Sequence, residues 1–296
     1  MTDARVSERL APPRPAPPSR KPWRWVESTA LPGFGPAMGF TIAYLSIFLL
    51  LPLAALILRP WENGLDHVIN VVTAPRTIDA LKLSFGAAFI AACINAVFGV
   101  IVAWILVRYD FFGRKLLDAF VDLPFALPTA VAGIALAAIY APNGLIGSLF
   151  APFDIMIAYT PIGVMIALIF VGFPFVVRSI QPVLEDLHVE VEEAAATLGS
   201  SRIRTIALVV FPHILPALLG GFSLAFARAV GEYGSVIFIA GNIQNVTEIA
   251  PLLIVMRLEE FDYAGAAAVG LVMLTLSVSL LFGLNLIQGW VARRGA

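Results

Sequence analysis

Two charged side chains stand inside an otherwise apolar run of this sequence. Arg228 and Glu232 are four residues apart in Ala227-Arg228-Ala229-Val230-Gly231-Glu232-Tyr233-Gly234-Ser235. On a helix that spacing puts both on one face. A charge at the centre of a bilayer costs at least about 2.5–3.5 kcal/mol, so such groups face a partner, water or a pathway. Two chemistries fit the pair. The charges neutralise each other and hold the fold, or one or both line an anion path or its gate. A lone arginine favours an anion and a paired glutamate weakens that attraction, so charge alone leaves the choice open. Gly231 and Gly234 bracket the pair and either break the helix or let a second helix approach.

A second constellation lies upstream, in the polar stretch 186–212. Glu190, Glu192 and Glu193 fall in one turn, where carboxylates suit the positive end of a helix dipole. Ala194, Ala195 and Ala196 follow, and alanine is the strongest helix former. Gly199 is placed to stop that helix in a left-handed conformation. A second helix over about 201–211 then leads to an apolar segment. Pro212 and Pro216 suit its start, where a missing N–H costs little. The expectation is a short helix-turn-helix whose small side chains let another surface come close. A connector lying on lipid headgroups fits the same residues.

The remaining candidates are weaker. Asp118 and Asp122, again four apart, could relay a proton, but two carboxylates there more simply complement a helix N-terminus. Glu259, Glu260 and Asp262 read as a solvated acidic loop. His67, His188 and His213 show no metal-ligand spacing. Cys93 has no partner cysteine and reads as apolar packing. No nucleophile–base arrangement is readable.

The elements that must position these groups follow from composition. Of 296 residues, 59% are hydrophobic and 13% charged, with net charge −1; mean hydropathy is +0.90. Soluble domains carry about 25% charged residues, so a soluble enzyme and a disordered chain are both excluded. The balanced charge gives no field for nucleic acid. Continuous apolar runs of ~20 residues predict an all-α polytopic membrane protein rather than a β-barrel. Six spans are expected near 38–58, 83–107, 120–140, 159–180, 214–240 and 266–289, within a membrane domain over 31–296. The segment 1–30, rich in proline (Pro12, Pro13, Pro15, Pro17, Pro18, Pro22), reads as a disordered tail. Of the 19 basic residues, 14 fall in the tail, loops 108–118 and 178–213 and the C-terminus, against four in the alternate loops. Both termini are therefore expected in the cytoplasm.

The stretch Glu193-Ala194-Ala195, three residues, Gly199, nine residues, then Val209-Val210-Phe211-Pro212 resembles the EAA motif of ABC importer permeases. Val209 and Phe211 stand where that motif carries Ile and Leu. The resemblance implies a type I permease fold, with a loop that docks on a cytosolic ATPase. It implies Glu193, Ala194, Ala195, Gly199 and Pro212 as coupling residues. No G-x-x-x-x-G-K-[ST] sequence is present, so this chain lacks that phosphate cradle. ATP and Mg are then expected on the partner, and no cofactor on this chain. Arg228 to Ser235 with Ile239-Ala240-Gly241-Asn242 is similar to the fifth-span signature of sulfate and molybdate permeases. Asp122–Gly133 and Arg257–Tyr263 narrow the resemblance to T-type membrane subunits of bacterial sulfate/thiosulfate importers. Tyr233, where related permeases often carry Phe, departs mildly. This implies a second, similar permease subunit, two ATPase copies, an extracytoplasmic anion-binding protein and a place in the inner membrane. Competing readings are a molybdate or tungstate permease and a gradient-driven secondary transporter. The latter expects broken helices in matching halves.

Overall fold

The computed structural model describes residues 34–294, with side chains to Val291. The proline-rich tail and its six basic residues therefore lie outside the described residues. The chain divides into two units, Met1–Leu51 and Pro52–Ala296. The described part of the first is α1 (Phe34–Leu45) followed by a π-turn over Ser46–Leu50, and it contains no buried residue.

α2 (Leu51–Leu58) begins on the last residue of the first unit. In the second unit, α3 (Leu65–Thr73) leads to α4 (Pro75–Arg108). After it come α5 (Arg114–Val121), α6 (Leu123–Ala126), α7 (Thr129–Tyr140) and α8 (Gly147–Phe150). Next are α9 (Pro161–Asp186), α10 (Val189–Thr197), α11 (Arg202–Thr205) and α12 (Phe211–Val230). The chain ends in α13 (Gly234–Ala240), α14 (Ala250–Glu259) and α15 (Tyr263–Arg294). No strand occurs among the described residues. The all-α expectation holds.

The centre is α4 packed against α9 and α12. Between helices in lipid the hydrophobic effect gives little drive, so close backbone approach and van der Waals contact must do the work. The sequence supplies small residues for it. The buried face of α4 carries Ala80, Ser84, Ala87, Ala88, Ala91, Ala92, Asn95, Gly99 and Ala103. A Cβ on Gly99 would stand 2.6 Å from Val176 Cγ1, so glycine is what fits there. The buried Asn95 donates its amide nitrogen to the Ile169 carbonyl at 3.1 Å. Phe89 meets Phe222 and Phe226 edge-on at 5.7 and 6.5 Å, a favourable aromatic geometry. A smaller cluster joins Val71, Ala80, Leu253, Ala268 and Val269.

Among the described residues, five helices have the length and composition to cross a membrane. Four of the expected spans lengthen, to Phe34–Asn63, Pro75–Arg108, Pro161–Asp186 and Tyr263–Val291. Two expected boundaries need correction. The third segment, expected as one helix over 120–140, is broken into α5, α6 and α7. Pro128 disfavours helical geometry in the residue before it, and Leu127 is extended at φ −87°, ψ 135°. At 12 residues, α7 is only about 18 Å long against a ~30 Å hydrocarbon core. The fifth was expected over 214–240. Its helix instead runs Arg202–Val230, and 234–240 forms the separate α13.

Proline explains a further difference. The helix entering the fifth span does not start at Pro212 or Pro216; it passes through both. Ile206–Val210 forms a π-turn that ends two residues before Pro212, with the Phe211 N–H bonded to the Ile206 carbonyl. A helix-interior proline removes an N–H and pushes on the carbonyl four residues back. A wider turn relieves both. Ser46–Leu50 repeats the device two residues before Pro52.

Candidate functional site

The helix-turn-helix sits at the end of the bundle where α4 finishes in Arg108. Glu190 and Glu192 occupy the first turn of α10. Its C-terminus is closed by Gly199 at φ +83°. Gly199 N–H donates to the Ala196 carbonyl at 2.9 Å and Ser200 N–H to the Ala195 carbonyl at 3.0 Å. These two bonds form a Schellman closure, which needs a left-handed residue. A Cβ there would meet nothing within 4 Å, so the backbone angle and not space is what favours glycine. Glu193, Ala194 and Gly199 are all exposed and Ala195 is half-buried. Leu198 beside them is 89% exposed and Ile203 on the returning helix 81%. Pro212 is also exposed, beyond the π-turn. The hairpin thus presents a mixed apolar and acidic surface. It is tied down by Arg108, which donates to Glu192 Oε1 at 2.7 Å and to the Leu187 carbonyl at 2.9 Å.

The structure brings Arg228 and Glu232 together, but not on one helix. α12 stops at Val230, and Gly231, Glu232 and Tyr233 form the break before α13. Across it Arg228 Nη1 pairs with Glu232 Oε2 at 2.5 Å. Glu232 is 2% exposed. Its other oxygen accepts from the Ser235 N–H and Oγ, both at 2.9 Å, which caps the first turn of α13. Both carboxylate oxygens are engaged, and the buried charge is compensated. The Arg228 side chain remains 35% exposed. The two glycines divide the roles foreseen for them. Gly231 lies at the break. Gly234 lies where α13 meets α7, and a Cβ there would come within 2.2 Å of Thr129 Oγ1. Gly133 on α7 matches it, 2.4 Å from the Ser235 carbonyl oxygen in the same sense. Two short helices, each following a break, therefore cross at paired glycines.

Asp118 and Asp122 do not serve a helix N-terminus. Asp118 lies midway along α5, and Asp122 makes no side-chain cap. Both bind Arg178, which belongs to α9 rather than to the loop where it was counted. Arg178 grips Asp122 bidentately at 2.8 and 2.6 Å, reaches Asp118 Oδ1 at 2.6 Å and Gln181 Oε1 at 2.6 Å. The break after α5 is thus fastened to a long helix. The pairing at i and i+4 was visible in the sequence, but its cation is 56 to 60 residues away.

The opposite end of α4 carries ion pairs that sequence reasoning missed. Arg76 grips Glu248, itself 3% exposed, at 2.8 and 2.7 Å. Asp262 accepts from Arg257 at 2.7 Å and from the Gly265 N–H at 2.8 Å, and lies 3.3 Å from His67. Burial pushes the Asp262 carboxyl up, but the Gly265 N–H and Arg257, helped by His67, outweigh it and hold the group below its ordinary value. It is therefore not part of a solvated acidic loop, whereas Glu259 and Glu260 are exposed.

Residues 95–295 match the family described as the binding-protein-dependent transport system inner membrane component. The chain belongs to that family. It is a multi-pass inner-membrane permease component of an ABC transporter. The sulfate transport system permease protein CysT of Salmonella typhimurium is 48% identical over 264 residues, covering 89% of this chain and 95% of the relative. CysT of Escherichia coli K12 matches with the same identity and coverage. That of Synechococcus elongatus is 49% identical over 86% of this chain and 91% of its own. Among solved structures, a bacterial ABC transporter that imports the acidic polysaccharide alginate superposes with TM-score 0.72. It is 16% identical and covers 86% of this chain and 94% of its own. The MetNI methionine ABC transporter gives 0.54 at 15% identity, over 74% and 95%. At those identities the likeness concerns the fold.

Proposed function

We propose that this chain is one membrane subunit of an ATP-driven importer that carries sulfate, and thiosulfate with it, into the bacterial cell. The observation that carries the reading is the 48% identity to sulfate transport permeases over 89% of the chain. The fold fits it, and so does the exposed hairpin with its left-handed Gly199.

In this reading both termini and the Arg108 end face the cytoplasm. The chain pairs with a second, similar permease, and two ATPase subunits bind ATP and Mg. This chain has no ATP site of its own. An extracytoplasmic binding protein delivers the anion to the Arg76 end. Glu193, Ala194, Ala195, Gly199 and Pro212 form the surface on which an ATPase docks. Closure of the ATPases moves the hairpin, and the bundle switches between discrete packings. Arg228, Gly231, Glu232 and Gly234 line the path or its gate. Glu232 holds the α12–α13 break in place through Arg228 and Ser235. Arg228 keeps enough exposure to meet an anion while its pair prevents tight trapping.

The test is radiolabelled sulfate uptake in cells lacking the chain, with and without its restoration, and with molybdate as competitor. Uptake that is lost, restored and resistant to molybdate is the expected result. Unchanged sulfate uptake without the chain would refute the anion assignment. Uptake that persists with a catalytically dead ATPase would refute the ATP-driven reading.

A further inference from the structure

The hairpin that the proposed function assigns to ATPase docking is poorly anchored by its own packing. No residue of α10 is buried. It is joined to α9 by Leu187 and His188 alone, both outside helical geometry, with ψ of 102° and 136°. A two-residue extended link is a hinge: it passes little torque from α10 to α9. The side chain that bridges the hinge is Arg108. It is the last residue of α4, the helix that packs against both α9 and α12.

One nitrogen of Arg108 makes both bridging bonds. Nη2 donates to the Leu187 carbonyl, which caps α9, at 2.9 Å, and to Glu192 Oε1 on α10 at 2.7 Å. The guanidinium carbon lies 5.6 Å from the centre of the Trp104 ring, one turn back on α4. The ring limits the directions in which the guanidinium can swing. The Arg108 and Glu192 side chains are only 12% and 22% exposed. In such a partly dry site a charge-assisted bond is stronger than at an open surface. Leu187 itself is buried, at 7%, so its carbonyl is a fixed point.

We propose that Arg108 is a positioning residue of the transport cycle, tying the docking hairpin to α4 so that hairpin movement becomes movement of the central bundle. The inference rests on the docking reading of the hairpin. Glu192, and not the exposed Glu193 beside it, is the glutamate that faces the bundle. A displacement of α10 by the ATPase pulls on α4 directly and does not dissipate in the Leu187–His188 link.

The test uses the assembled importer in proteoliposomes, with three variants: Arg108→Gln, Glu192→Gln and the exchanged pair Arg108→Glu with Glu192→Arg. ATPase co-purification, ATP hydrolysis and sulfate taken up per ATP hydrolysed are read for each. Both single variants are expected to keep the ATPase and to hydrolyse ATP. Uptake per ATP should fall by about tenfold, the factor matching loss of one charge-assisted hydrogen bond. The exchanged pair should recover several-fold over either single variant. Single variants that transport at the native ratio overturn the proposal. So does an exchanged pair no better than the singles. Loss of ATPase from the singles also overturns it, because the pair then only shapes the docking surface. Failure of the native chain to retain an ATPase through this hairpin would instead refute the docking reading.

Discussion

The sharpest prediction concerns Gly199, because the structure separates its two reasons for being glycine. Its φ is +83°, and a Cβ there would meet no atom within 4 Å. Substitution therefore costs backbone strain and nothing else inside this chain. For an L-residue the left-handed region costs roughly 1–2 kcal/mol, and asparagine visits it with less penalty. One to two kcal/mol is a factor of about 5–30 in the population of the native turn. Both closing bonds, Gly199 to Ala196 and Ser200 to Ala195, are lost when the turn opens. The path of Ser200, Ser201 and α11 then changes. The series Gly199→Asn, Gly199→Ala and Gly199→Val should lose ATPase co-purification and uptake in that order. Asparagine should be near native, alanine down several-fold, and β-branched valine lowest. Membrane insertion, checked by the amount of chain in the membrane fraction, should be unchanged across the series. Equal loss in all three would refute the backbone argument and point to a partner atom filling the space over Gly199. Native behaviour of Gly199→Val would refute the coupling role.

Gly234→Ala should lower the thermal midpoint in detergent, because an overpacked contact typically costs about 1–3 kcal/mol of stability. Its Cβ would fall 2.2 Å from Thr129 Oγ1, so adding Thr129→Ala should recover part of the loss; no recovery would show that the strain lies elsewhere. Asp262 supplies a pH signature. Its carboxyl sits below the ordinary value because the Gly265 N–H and Arg257 outweigh burial. A depressed carboxylate contributes stability that is complete above its unfolded value and is lost as pH falls through the lower folded value. Melting followed from neutral to acidic pH should show that loss for the native chain. It should be smaller for Arg257→Leu, and equal slopes would remove Asp262 from the account.

Several outcomes trace to particular residues. The long apolar runs fixed α4, α9 and α15 as spans because a chain with 13% charged residues has no other solvent for them. Gly199 was legible as a left-handed stop because an alanine run ended there. The i, i+4 spacing of Arg228 and Glu232 predicted their contact, and the contact survives although the helix does not. Pro128 carried the signal for the break in the third segment, and the chain turns extended at Leu127 just before it.

Long-range partners were not legible, and the reason is physical. A charge in a sequence announces that it needs a counter-charge or a hydrogen bond, but not which one. Arg178 with Asp118 and Asp122, Arg76 with Glu248, and Arg108 with Glu192 span 56 to 172 residues. Each depends on how α4, α9 and their neighbours pack. That packing depends in turn on small residues whose contacts are set only once the helices meet. By itself the sequence determined the solvent, the helices, the exposed hairpin and the resemblance that names the family. Tertiary structure decided where the helices break, that α7 and α13 cross at Gly133 and Gly234, and that Arg108 joins the hairpin to the bundle.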